Sequence, residues 1–258
     1  MSTGILLINL GSPDSTDPKD VKTYLDEFLM DEYVIDLPYP LRYLLVKGII
    51  LNVRPKKSAH AYETIWWDDG SPLIVISERV QKKLKDIAKH PISLAMRYAN
   101  PSIKAGIDDL LAKDASIDRI ITVPLYPHYA MATTQTVVEK TKAVQQQFFP
   151  NVTLDFVDPF YKDQRYIDAL AGSIQDHLTD KHDYLLFSYH GVPVRHLKKT
   201  DPTIIDKVAV HPCFPMKRIY APRKSATDKY VPIYLTEKIM AVRRAKDSNT
   251  KLRLSGSM

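Results

Sequence analysis

Short apolar runs alternate with amphipathic stretches along most of this 258-residue chain, and that alternation limits the folds open to it. Ile5 to Leu10, Ile92 to Tyr98, Ile120 to Leu125, Val152 to Val157 and Leu185 to Ser188 read as strands, too short for helices and rich in branched side chains. Between the first two, Asp17 offers an N-cap and Pro18 a first helical position for a helix running to about Met30. Val80, Leu84, Ile87 and Ala88 make a helical stripe that ends before Pro91. Asn100-Pro101 reads as the cap of a helix that turns Ile103, Ile107 and Leu110 inward. Further helices are expected over 133–148 and about 163–178. Strands separated by helices join in parallel and are covered on both faces, so the expected class is α/β with parallel sheets.

That topology says where chemistry belongs. Open parallel sheets bind ligands at the carboxyl ends of their strands. Leu10-Gly11, Arg97-Tyr98, the segment from Tyr126 to Tyr129, and His190 each follow a strand-like run directly. The last is the sharpest case. Tyr184 to Ser188 is a buried-strand pattern that stops at Tyr189-His190-Gly191, where the glycine permits a turn and Pro193 prevents continuation. Gly-x-Gly-x-x-Gly, Gly-x-x-x-x-Gly-Lys, His-Glu-x-x-His and Gly-x-Ser-x-Gly are all absent. Dinucleotide, P-loop, zincin and hydrolase-elbow chemistries therefore lack sequence support.

Five segments in order resemble the ferrochelatase family, which inserts ferrous iron into a porphyrin. They are Leu7-Ile8-Asn9-Leu10-Gly11-Ser12-Pro13; Arg54-Pro55-Lys56-Lys57-Ser58-Ala59 leading to Tyr62 and Gly70-Ser71-Pro72-Leu73; Met96-Arg97-Tyr98 with Pro101; Pro124-Leu125-Tyr126-Pro127-His128-Tyr129; and Ser188-Tyr189-His190-Gly191-Val192-Pro193. The resemblance covers residues 4 to 202. It implies two Rossmann-like, chelatase-type lobes with the second incomplete. Residues 1–155 would form the first lobe, 156–202 the start of the second, and 203–258 a basic tail of uncertain structure. It also implies that the apolar stretch Leu41 to Val53, otherwise readable as an ordinary buried helix, is a lip over the porphyrin cleft that touches a membrane surface.

The residue types suit that chemistry. A flat, greasy ring wants apolar and aromatic walls, and its carboxylate tails want cationic or hydroxyl partners. Leu10, Arg54, Tyr62, Ser71, Arg97 and Tyr98 are such residues, with His128 as further cleft lining. Iron must displace two pyrrole protons. A neutral imidazole accepts a proton near pH 7 and ligates Fe²⁺, so the resemblance makes His190 both the base and the metal ligand. Fe²⁺ is then a substrate, and no prosthetic group is expected. Protoporphyrin IX and coproporphyrin III are the alternative partners.

The net charge of +6 resides in the tail. Residues 203–258 hold 12 of the 36 Lys and Arg and 4 of the 30 Asp and Glu, which leaves 24 against 26 in residues 1–202. No nucleic-acid partner is expected for the body of the chain. The sole cysteine, Cys213, excludes an internal disulfide. Without a basic leader at Met1 or an apolar window long enough to span a bilayer, the expected location is cytoplasmic, peripheral at the membrane. After His190 the only glutamate is Glu237, in a setting unlike the family's second metal-site carboxylate. From Val192 to Ser255 there is no glycine. The expectation is a chelatase impaired by a divergent C-terminal part. The rival readings are an inactive porphyrin-binding remnant and a nucleic-acid binder acting through the basic tail.

Overall fold

The structure, a computed structural model, describes residues 2–177, 184–190, 192–200 and 251–257. Four strands form an all-parallel sheet: β1 (Ser2–Asn9), β2 (Ile92–Met96), β3 (Ile117–Pro124) and β4 (Thr153–Phe156), in the order β2-β1-β3-β4. Ile5 to Asn9 run in register with Ile92 to Met96, and Gly4 to Ile8 with Ile120 to Pro124. The chain steps from β1 to one side and then crosses to the other. The switch point, where such sheets open a crevice, therefore lies between β1 and β3.

Helices cover this sheet on both faces. They are α1 (Pro18–Leu29), α2 (Tyr39–Tyr43), α3 (Leu51–Val53), α4 (Pro55–Glu63), α5 (Pro72–Lys85), α6 (Ile103–Lys113) and α7 (Thr136–Phe148). Alternate residues of a strand point to opposite faces. Leu6 and Ile8 thus join Ile103, Ile107 and Leu110 of α6 and Val137 and Val144 of α7 in one core. Leu7 turns the other way, with Leu94 and Met96, toward Leu73, Ile74 and Leu84 of α5. Each fully buried branched side chain, such as Ile107 or Leu110, contributes about 1.5–3 kcal/mol.

Several local expectations hold, and others need correction. Asp17 caps α1, its carboxylate accepting from the Lys19 amide at 2.7 Å. The cap of α6 is Ser102, which accepts from the Ala105 amide, and not Asn100-Pro101. In α5 the buried residues are Val75 and Ser77. Of the expected stripe, Leu84 and Ala88 pack, partly buried, against the core, while Val80 and Ile87 are exposed. The helix expected over 133–148 begins as a π-helical turn, Met131–Gln135, before α7.

The stretch from Leu41 to Val53 is not an ordinary buried helix. It breaks into α2, a π-helical segment Leu44–Ile50, and α3. Val46 and Leu51 peg it to the core, while Tyr39, Leu41, Leu44, Ile49 and Val53 stand exposed. Arg42 is buried beneath, donating to the Leu37 carbonyl at 2.8 Å, and Lys47 pairs with Asp26 of α1. An apolar row of this kind on a surface marks a contact face.

The chain divides into two compact units, Met1–Tyr126 with Met131–Asp158, and Pro127–Ala130 with Pro159–Met258. The second contains α8 (Gln164–Gln175), β5 (Tyr184–His190), α9 (Val194–Thr200) and β6 (Lys251–Ser257). β5 pairs in parallel with β6, a strand in the tail that residue patterning did not suggest. Among the described residues no helix is long and apolar enough to cross a membrane.

Candidate active site

The ends of β1 and β2 are tied together just past the last strand residues. The Arg97 amide donates to the Asn9 carbonyl at 2.8 Å and the Tyr98 amide to the Leu10 carbonyl at 2.9 Å. Gly11 allows this approach. Its φ is +107°, and a Cβ there would stand 2.0 Å from the Tyr98 carbonyl oxygen. Leu10, Arg97 and Tyr98, three expected site residues, are thereby brought together at the carboxyl edge of the sheet.

Tyr62 joins them through aromatic packing. Tyr24 of α1 lies edge-on to both Tyr62 and Tyr98, with centroids 6.4 Å apart in each case. Phe28 meets Tyr98 at 5.2 Å, and Trp66 meets Tyr62 at 6.1 Å. Leu10 and Tyr62 pack, partly buried, on the cluster that contains Tyr98. Arg54, exposed, precedes α4, and Ser71, buried, precedes α5; neither belongs to this cluster.

The surprise is what surrounds Arg97. Its side chain is 10% exposed, and the guanidinium donates through Nη2 to Asp31 Oδ2 and through Nε to Thr136 Oγ1 at 2.7 Å. Glu27 lies 3.7 Å from Nη1. Asp31 Oδ2 also accepts from the Tyr98 hydroxyl at 2.8 Å and from Thr136, while Oδ1 accepts from the Tyr33 amide at 2.8 Å. Arg97 stacks over the Tyr98 ring, 4.3 Å from its centroid. Its charge is therefore already compensated inside the protein and is not a loose cation awaiting a carboxylate tail. Asp31, Glu27, Thr136 and Tyr24, which the sequence reading does not reach, contact these candidate residues directly. One signal was present: Asp26, Glu27, Asp31 and Glu32 gather in and just past the last turn of α1, where the helix dipole disfavours negative charge, and call for cations elsewhere.

Burial raises the Tyr98 phenol well above its usual range, Arg97 opposes this, and Asp31 adds to the rise. Tyr24 and Tyr126 are raised by burial as well. All three phenols stay protonated at neutral pH and are not bases. The Tyr126 hydroxyl, just past β3 at the switch point, is buried without a hydrogen-bond partner among the described residues. A buried, unsatisfied hydroxyl costs about 1–3 kcal/mol, which a polar ligand atom would offset.

His128 and His190 belong to the second unit. The His128 ring stacks on Tyr161 with centroids 5.4 Å apart, beside Lys162, and burial depresses its pKa. Protons then bind the unfolded state more readily than the folded one. The contribution to stability is complete above the unfolded value of about 6.5 and is lost as pH falls through the lower folded value. Thermal midpoints are expected to drop on acidification below about pH 6.5, and less steeply in His128→Gln; equal slopes would show that burial is not what sets this histidine. His190 is the last residue of β5, and its side chain lies outside the described residues.

Comparison with known proteins agrees with the motif order. The ferrochelatase family model matches residues 2–231, farther than the motifs themselves reach. The ferrochelatase of Pseudomonas fluorescens (strain Pf0-1) is 52% identical over 200 residues, covering 77% of this chain and 58% of that protein. Those of Ectopseudomonas mendocina (strain ymp) and Azotobacter vinelandii (strain DJ / ATCC BAA-1303) are 50% and 49% identical over the same shares. The chain thus spans 58% of the length of these curated relatives. A sirohydrochlorin chelatase from Bacillus subtilis subspecies spizizenii, solved with cobalt, covers 99% of this chain and 87% of its own. Its TM-score is 0.42 at 13% identity, too loose a likeness to bear on fold or function. The family match and relatives half-identical over three quarters of the sequence place the chain in the ferrochelatase family.

Proposed function

We propose that this chain binds a porphyrin dicarboxylate, protoporphyrin IX or coproporphyrin III, and takes part in inserting Fe²⁺ into it. The observation that carries this reading is the wall formed by the partly buried Leu10 and Tyr62 at the sheet's carboxyl edge, backed by the fully buried Tyr98. It is apolar and aromatic, as a flat macrocycle requires. The unsatisfied Tyr126 hydroxyl supplies a polar contact beside it. Arg54 and Ser71 are the candidate partners for the carboxylate tails, with His128 as further lining.

His190 accepts the pyrrole protons and ligates the entering iron in this scheme. Iron is a substrate throughout, and no prosthetic group takes part. Residues 1–155 act as the first lobe and 156–202 as the beginning of the second. The exposed row from Tyr39 to Val53 closes over the ring and rests on a lipid surface, which makes the protein peripheral at the cytoplasmic face of a membrane.

Titration with mesoporphyrin IX tests the binding half. Trp66 touches Tyr62 and Trp67 is next to it, so a bound ring should quench their emission saturably. A folded sample that shows no saturable quenching would overturn the proposal.

A further inference from the structure

We infer that Asp31 is a positioning residue for the porphyrin site, acting through Arg97 and Tyr98; this rests on the porphyrin reading above. The Asp31 side chain is 3% exposed. Both its oxygens are engaged: one by Arg97, Tyr98 and Thr136, the other by the Tyr33 amide. A carboxylate so occupied has nothing left to offer a substrate directly. Its influence must pass through the groups it holds.

Those groups all belong to the site's edge. Glu27, one helical turn earlier, accepts from the Ala99 amide at 2.9 Å and faces the other side of the Arg97 guanidinium. Ala99 has φ of +59°, a left-handed conformation that a residue with a Cβ keeps only when its surroundings impose it. The two acidic residues therefore grip the Arg97-Tyr98-Ala99 turn from one end of α1. Thr136, at the start of α7, closes the network from across the sheet.

The consequence is chemical as well as geometric. A guanidinium left alone would swing toward any carboxylate tail that arrived. Held by Asp31 and Thr136, it instead lies over the Tyr98 ring and fixes that buried ring as the backing for Leu10 and Tyr62.

The test compares the full chain with Asp31→Asn, Arg97→Met and the double variant, each titrated with mesoporphyrin IX. Asp31→Asn is expected to weaken binding about tenfold, and Arg97→Met by a similar factor. In the Arg97→Met background, Asp31→Asn should add much less than in the parent, because only the Tyr98 hydroxyl remains as its route. Additive losses, or unchanged affinity in Asp31→Asn, would overturn the inference. Should the single Asp31 variant fail to fold, Arg97→Met against the double variant still decides whether the route exists, since the double variant removes both charges.

Near-ultraviolet circular dichroism gives a reading without ligand. Asp31→Asn should flatten the tyrosine bands of the Tyr24–Phe28–Tyr98 cluster at matched helix content, and intact bands would overturn the inference. Absence of porphyrin binding by the unsubstituted chain would instead remove the porphyrin reading, with the dichroism still judging whether Asp31 positions Tyr98.

Discussion

Gly11→Ala should destabilise the first unit by about 4 kcal/mol, among the largest effects a single methyl group can have. A non-glycine residue at φ of +107° carries about 1–3 kcal/mol of backbone strain. The added Cβ would also sit 2.0 Å from the Tyr98 carbonyl oxygen, far inside contact distance. Relief requires β1 and β2 to part where the Arg97 and Tyr98 amides bond to Asn9 and Leu10, at about 1 kcal/mol for each bond lost. Gly70→Ala is the control. Its φ is +120° but nothing lies within 4 Å of the added carbon, so it should show the strain alone. Urea denaturation of the two variants separates the components. Equal costs would mean that the β1–β2 junction yields locally.

The second large effect is on chemistry. His190→Ala is expected to slow anaerobic Fe²⁺ insertion into mesoporphyrin about 10²- to 10⁴-fold. Two pyrrole protons must leave as iron enters, and a neutral imidazole nitrogen can receive them without a strong base. The tyrosines of the first unit cannot substitute, since burial keeps their protons on. Porphyrin affinity should change far less than rate, because the ring's apolar contacts are left in place. A variant that inserts iron as fast as the parent would move the proton acceptor elsewhere, whereas one that loses affinity and rate together would make His190 chiefly a binding residue.

Local signals were legible and distant ones were not. Asp17, Pro18 and the Ile103, Ile107, Leu110 stripe report on neighbours within two turns of a helix, and the structure uses them as read. Leu10 and Arg97-Tyr98 could be placed at one edge because strand ends in a parallel sheet share a side. The α6 cap is ambiguous in sequence because Pro101 and Ser102 are both plausible starts, and only the serine hydroxyl's bond distinguishes them. The break at Leu44–Ile50 is hidden because periodicity presumes 3.6 residues per turn, which a π-helical segment does not follow. Arg97 looks like a free cation in sequence because its partners come from far along the chain. Asp31 is 66 residues away, and Thr136 is 39.

That long-range network bears on how the sheet finds its alignment. All five residues of β2 are buried and four of them, Ile92, Leu94, Ala95 and Met96, are apolar, so sliding it along β1 would largely exchange one greasy contact for another. Apolar pattern alone is a poor ruler here. The polar network is a good one. Displaced along β1, Arg97 could no longer reach Asp31, and an unmatched buried carboxylate and guanidinium are costly species. Misaligned pairings would thus be disfavoured by stranded charge, so the cluster works as an alignment pin for two strands that could otherwise slide.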